Sequence, residues 1–343
     1  MKRIVPLVAV ALAAVFASVL AVGATAKSSG TALRGAGSSF VSPLVLTMAQ
    51  PYDAATGVHV DYNPVGSGAG IAAISARQVD FGASDAPMTP DQFNGCNGCV
   101  QIPWQASGTS IAYNVQGAPP HLKITGQVLA EIYLGNIKKW NDAALKKLNP
   151  GVNLPDTDIT PIWRSDASGT TYNVTDYLSK VSPAFKSKIG TGTQVNFPAG
   201  VGGRGSSGVS AVLSRTNGGI IYVDVAFATT NHFKFFAVKN KAGKYQLPGS
   251  KQIRAAMDTV KKITPDNKIS IVDPPKSAAT AYPISTFTYI ILPLKTDNAA
   301  ALRKYVVWAM TNGVKKYGPK LRFVQVPPNV LSASEKTLKK VQS

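Results

Sequence analysis

Arg164-Ser-Asp-Ala-Ser-Gly-Thr-Thr171 follows the apolar stretch Ile159–Trp163 and leads into Thr170–Lys180, a run with helical spacing. A strand that feeds a helix through small residues leaves backbone N–H groups uncovered at the positive end of the helix dipole. Ser168, Thr170 and Thr171 add hydroxyl donors, and Arg164 adds a permanent charge whose fork fits a tetrahedral oxyanion. Asp166, two residues on, can hold that fork in place. Taken alone, the same residues also describe a Ser/Thr N-cap beside a surface Arg–Asp pair. The rest of the chain has to separate the two.

Outward from this element, strand-like and helix-like segments alternate, which predicts an α/β class. Val58–Tyr62, Thr109–Val115, Ile159–Trp163, Ile220–Val223, Phe233–Val238 and Phe287–Leu292 read as strands. Helical spacing covers Leu44–Ala55, Gly70–Arg77, Gly126–Leu134, Ser206–Ser214, Ile253–Ile263, Ala299–Thr311 and Ser332–Val341. Three further loops share the character of the Arg164 element. Gly35-Ala-Gly-Ser-Ser-Phe40 and Gly66-Ser-Gly-Ala-Gly70 each set hydroxyls and free amides before a helix, although each alone also reads as a tight βα turn. Asp80-Phe-Gly-Ala-Ser-Asp-Ala-Pro87 differs in offering a carboxylate, Asp85, whose bland role would be a helix N-cap ahead of Pro87.

The start of the chain reads as an export signal. Lys2 and Arg3 precede an apolar run from Ile4 to about Val22, and Ala24-Thr25-Ala26 supplies the small-x-small pattern of a cleavage site. Residues 1–26 are therefore expected to be a signal peptide, with a mature chain starting near Lys27 in an oxidising, extracytoplasmic compartment. A membrane anchor is the alternative for so long a run, and no Cys stands near the cleavage point to take a lipid. Without Lys2 and Arg3 the balance is 34 Lys and Arg against 17 acids, a net charge near +17. Scattered pairs such as Lys138-Lys139 and Lys261-Lys262 form no nucleic-acid motif. Of the partners such a charge could attract, nucleic acid, anionic lipid or small anions, nucleic acid is the weakest reading.

Cys96 and Cys99 are the only cysteines, in Gly95-Cys-Asn-Gly-Cys99. In an exported chain the pair reads as a local disulfide staple. A thioredoxin-like pair would sit at a helix N-terminus, whereas Asn97-Gly98 looks like a turn. A zinc site would need two more ligands, and His59, His121 and His232 are isolated in sequence. The best enzyme reading is Gly200-Val-Gly-Gly-Arg-Gly205, which fits a dinucleotide fingerprint with Asp224 ending the next strand-like run. Export separates it from the nicotinamide pool, and glycines making close loop packing explain it as well. No Gly-x-Ser-x-Gly elbow or grouped Asp and His ligands suggest a hydrolase.

Together the loops resemble a known family. Gly35–Phe40, Gly66–Gly70, Val79–Met88, Tyr133-Leu-Gly-Asn-Ile-Lys-Lys-Trp140, Leu148–Pro155, Arg164–Thr171, Pro198–Gly208 and Tyr282–Thr288 occur in the order and form of the periplasmic phosphate-binding proteins, the substrate-binding components of high-affinity phosphate ABC transporters. The resemblance implies a two-lobed type II periplasmic binding protein fold, each lobe a mixed sheet flanked by helices and joined by two hinge segments. Residues 27–108 plus 285–343 would form the first lobe and 109–284 the second, with crossings near Ser107–Thr109 and Pro283–Thr286. It implies phosphate ligands Ser39, Phe40, Ser67, Asp85, Arg164, Ser168, Gly169 and Thr170, with Asp166 orienting Arg164. It further implies a monomeric, non-enzymatic carrier without cofactor that hands inorganic phosphate to an inner-membrane ABC permease. A secreted phosphate scavenger or surface protein on the same fold is the alternative. Ser39 stands where relatives often have Thr, Ala167 where Gly is common, and the Cys-x-x-Cys loop has no counterpart in the family pattern.

Elementary chemistry agrees on the ion. Phosphate near neutral pH carries one or two protons and sulfate none, so a group that only accepts hydrogen bonds separates them. An ionised Asp85 facing an unprotonated sulfate oxygen would meet repulsion of about 4 kcal/mol at an effective dielectric of ~20, roughly three decades in affinity.

Overall fold

The computed structural model describes residues 31–343, so the expected signal peptide at 1–26 lies outside the described residues. Its main sheet runs His59–Asn63, Ala32–Gly37, Phe81–Ser84, Ser285–Pro293, Cys99–Asn114, Gly219–Asp224, Thr160–Arg164, Val201–Gly203. The first three strands are parallel, Ser285–Pro293 and Cys99–Asn114 run antiparallel to their neighbours, and the last three are parallel again. That is a mixed sheet on either side of one long strand, the α/β type II arrangement expected from the family motifs.

The long strand changes partner at one step. Gly108 still pairs with Ser285, while Thr109 pairs with Asp224. Either side of that step has its own apolar core. One gathers Leu33, Phe81, Trp104, Ile290 and Tyr305, the other Tyr113, Trp140, Tyr177, Tyr222 and Phe236. A third cluster has consequences for the boundaries. Ile253, Met257 and Ile271 pack against Ala106, Phe287 and Val324, so this piece of the 109–284 stretch rests on the elements of the first core.

Several expected segments differ in extent. Phe233–Val238 is split into Lys234–Phe235, paired to the long strand, and Ala237–Lys239, paired to Lys123–Ile124. Between them Phe236 is fully buried and stacks on Trp140; its amide still donates to the Ile111 carbonyl of the long strand at 2.9 Å, while the Ala237 amide turns to the Leu122 carbonyl at 2.9 Å, so the backbone changes partner there. The helix expected over Ile253–Ile263 is Ser250–Met257, and the Thr259 hydroxyl donates to the Ala256 carbonyl beyond its end. Cys96 and Cys99 form a disulfide, with Asn97 in the left-handed region at φ 43° closing the helix Pro90–Cys96. The turn reading of Asn97-Gly98 holds.

The dinucleotide reading fails on geometry. The strand Val201–Gly203 occupies the middle of the glycine fingerprint, where a cofactor would need an open turn. A Cβ on Gly200 would lie 2.0 Å from the Pro161 carbonyl oxygen, and one on Gly203 2.7 Å from the Val209 amide nitrogen. These glycines serve close backbone packing.

Candidate functional site

Four loops converge between the two cores. The helix Gly169–Val181 starts at the end of strand Thr160–Arg164, and its N-cap Ser168 accepts from the amides of Thr170 and Thr171 at 3.1 and 3.3 Å. The cap reading of Ser168 is therefore right, yet the helix end is not at the surface. Asp85, Arg164, Ser168 and Thr170 are at most 4% exposed. The helix Ser67–Ser75 points its first turn at the same place, and the Ser67 hydroxyl accepts from the amides of Gly169 at 3.1 Å and Asp85 at 3.3 Å. Gly68 N–H donates to the Ala167 carbonyl at 2.9 Å, and the Thr286 hydroxyl donates to Asn173 Oδ1 at 3.0 Å. These contacts run from elements of one core to elements of the other, so the cleft is closed.

Arg164 and Asp166 form a two-pronged pair, Nε to Oδ1 at 2.7 Å and Nη2 to Oδ2. Asp166 also accepts the Gly205 amide at 3.0 Å. Burial opposes its ionisation, but the Arg164 hydrogen bonds and charge, with the Gly205 amide, outweigh it and hold its carboxyl below the usual range. Asp166 thus fixes a guanidinium that is itself 2% exposed on its side chain.

Asp85 lies five residues before the first residue of the helix Pro90–Cys96, whose N-cap is Thr89, so the N-cap role for Asp85 is excluded. Its carboxylate takes the Ser38 hydroxyl at 2.7 and 2.6 Å from the two oxygens. Burial pushes its pKa up to about 6, against the lowering by the Ser38 and Thr288 hydroxyls, the Arg164 charge and Ser67. The group is mainly ionised at neutral pH, at a site otherwise made of donors.

The residues expected to hold phosphate, with Asp166, lie on these loops, and Ser39 has a further partner. The Ser39 hydroxyl accepts the Ser206 amide at 3.1 Å and lies 3.0 Å from the Ser206 hydroxyl, joining the first loop to the helix Gly205–Arg215. Ser38, passed over in the sequence, holds Asp85, and its own hydroxyl accepts the Phe40 amide at 3.0 Å. Asn173 was also missed. It follows Gly169 and Thr170 by one helical turn, the i+3/i+4 spacing that would have flagged it. Thr170 Oγ1 and Asn173 Nδ2 are buried without a hydrogen-bond partner among the described residues. Beside them Asp85, Asn173 and Thr286 line a cavity of about 30 Å³. Buried groups left unpaired in this way are available to a ligand.

Asp224 was noted only as part of the dinucleotide pattern. It is fully buried, Oδ1 accepts the Phe227 amide at 2.9 Å, and Oδ2 has no partner among the described residues. Burial raises its pKa to about 8, with the Asp85 charge adding to the rise.

A family model described as PBP superfamily domain matches residues 23–312. A phosphate-binding protein PstS of Xylella fastidiosa is 38% identical over 307 residues, 88% of this chain and 84% of that one. The protein of the same name from Haemophilus influenzae is 34% identical over 318 residues, covering 92% and 94%. Among solved structures, a periplasmic phosphate-binding protein bound with phosphate superposes with a TM-score of 0.71 at 20% identity, over 89% of this chain and 93% of that one. A phosphate-binding protein from Stenotrophomonas maltophilia gives the same figures, 0.71, 20%, 89% and 93%.

Proposed function

The chain belongs to the family of periplasmic phosphate-binding proteins, and from that premise we propose that it captures inorganic phosphate between its lobes and delivers it to an inner-membrane ABC permease. The observation that carries this reading is the buried carboxylate of Asp85, which takes the Ser38 hydroxyl and lies near the guanidinium that Asp166 holds in place. Such a set suits an anion that still carries a proton. Arg164 and the amides and hydroxyls of Phe40, Ser67, Ser168, Gly169 and Thr170 are the proposed ligands, with Asp85 accepting a phosphate proton and Asp166 orienting Arg164. Ser39 is assigned to closure as well as to the first loop, through Ser206.

Binding here requires no bond making or breaking, and the proposed carrier is non-enzymatic, monomeric and exported by a cleaved leader. Its lobes, 27–108 with 285–343 and 109–284, would turn about Ser107–Thr109 and Pro283–Thr286. Ile253–Ile271 packs on the first core and would travel with the first lobe. Charge-assisted hydrogen bonds contribute about 1.5 to 3 kcal/mol each, and closure excludes water from them. Deleting the gene and measuring uptake of labelled phosphate at low external concentration tests the transport role. Loss of high-affinity uptake, restored by the wild-type gene, is expected. Unchanged uptake would instead favour a secreted scavenger on the same fold.

A further inference from the structure

A cavity of about 580 Å³ lies outside the phosphate site and shares no residue with it. Phe233, Phe235 and Pro248 supply apolar wall, and His121, His232, Lys234 and Arg322 bring the polar groups. No carboxylate lines it, and the ion pairs among the described residues involve none of those four. Two fixed cations therefore face one concavity without an acid to neutralise them.

The side chains are held there at some cost. His121, His232 and Arg322 have φ of 60°, 55° and 60°, left-handed conformations that glycine or asparagine adopts more cheaply. Three of the seven non-glycine residues in this conformation among the described residues line one cavity, two of them where a helix ends. Lys234 Nζ donates once, to the Ala118 carbonyl at 2.6 Å, and keeps donors to spare, while His121 Nδ1 lies 3.3 Å from the Phe235 carbonyl and its ring packs edge-on against Phe235. The Arg322 backbone is tied to the long strand, its carbonyl accepting the Ser107 hydroxyl at 3.0 Å.

We infer that this cavity is a second binding site, for a small organic anion carrying one aromatic ring. The ring would lie against Phe233, Phe235 and Pro248, and the anionic group would meet Arg322 and Lys234. The volume falls within the roughly 300 to 1,000 Å³ of small-molecule sites. Apolar wall with a few convergent polar groups is the usual make-up of such sites, and bare phosphate would leave that wall unused.

Phenyl phosphate, benzoate and neutral benzyl alcohol are the probes, titrated by calorimetry and saturation-transfer NMR into wild-type protein already saturated with inorganic phosphate. Keeping the interlobe site filled separates this inference from the phosphate-carrier reading. Saturable one-to-one binding of an aryl anion is expected, with none for benzyl alcohol. Arg322→Asn and His232→Asn keep a residue suited to the left-handed backbone, and each should weaken that binding by about tenfold or more while leaving phosphate binding unchanged. No saturable binding of either aryl anion up to about 10 mM, equal binding of benzyl alcohol, or unchanged affinity in both variants would overturn the inference.

Discussion

In the proposed site one carboxyl, that of Asp85, would decide the ligand. With its pKa near 6, it accepts hydrogen bonds above that pH and can donate one below it. Asp85→Asn keeps the size and one acceptor oxygen but removes the charge and adds donors. Phosphate affinity should fall modestly and sulfate affinity rise, narrowing the phosphate-to-sulfate ratio by an amount approaching the ~4 kcal/mol expected from charge repulsion. Wild type should show the same narrowing as pH drops through about 6, measured by competition calorimetry at constant salt. A mutant ratio equal to wild type would place the selectivity elsewhere. Arg164→Ala leaves Asp166 unpaired beside the anion and should cost about 2 to 5 kcal/mol of phosphate affinity, with a much smaller change in the ligand-free melt. Asp224 governs stability instead. Its pKa rises from 3.8 to about 8 on folding, so its contribution is fully present below about 4 and is lost as pH climbs through about 8. Ligand-free Asp224→Asn should therefore lose less stability than wild type between pH 5 and 8, by several kcal/mol at most. Parallel pH–stability curves would show that Asp224 ionises without cost.

At the scale of elements, the helix Gly169–Val181 must bring its first turn against the backbone of the opposite lobe. A Cβ on Gly169 would lie 2.7 Å from the Asp85 amide nitrogen and 2.7 Å from the Ser67 hydroxyl oxygen. Gly169→Ala suits the helix but obstructs closure, and overpacking of this kind costs about 1 to 3 kcal/mol. Phosphate affinity should drop by roughly ten- to a hundredfold, with the ligand-free melting temperature nearly unchanged. Full affinity in the variant would mean that the first turn does not close on Asp85. This element was legible from sequence because its strand, cap and helix are contiguous. Ala32–Gly37 and Phe81–Ser84 were missed as strands because Gly35, Gly37 and Gly82 depress strand propensity. Their reason is tertiary. A Cβ on Gly35 would enter the Phe81 ring, and one on Gly70 would lie 2.3 Å from Gly37 Cα. Ser38 and the Ser39–Ser206 contact were out of reach for the same cause. Which of two adjacent serines meets Asp85, and which meets a helix 167 residues away, is settled by the fold.

At the scale of the molecule, one long strand joins two cores and changes partner between Gly108 and Thr109, next to Ser107, whose strand partner Thr286 donates to Asn173. A net positive charge attracts anions in general, without regard to their protonation. Discrimination has to come from the closed interior, where charge is fixed and water is excluded. The central claim is therefore tested by titrating ligand-stripped wild-type protein with phosphate and with sulfate at pH 7.5 and physiological salt. The account predicts one-to-one phosphate binding and sulfate binding weaker by about three decades. Sulfate binding within tenfold of phosphate, or no phosphate binding by folded protein, would contradict it.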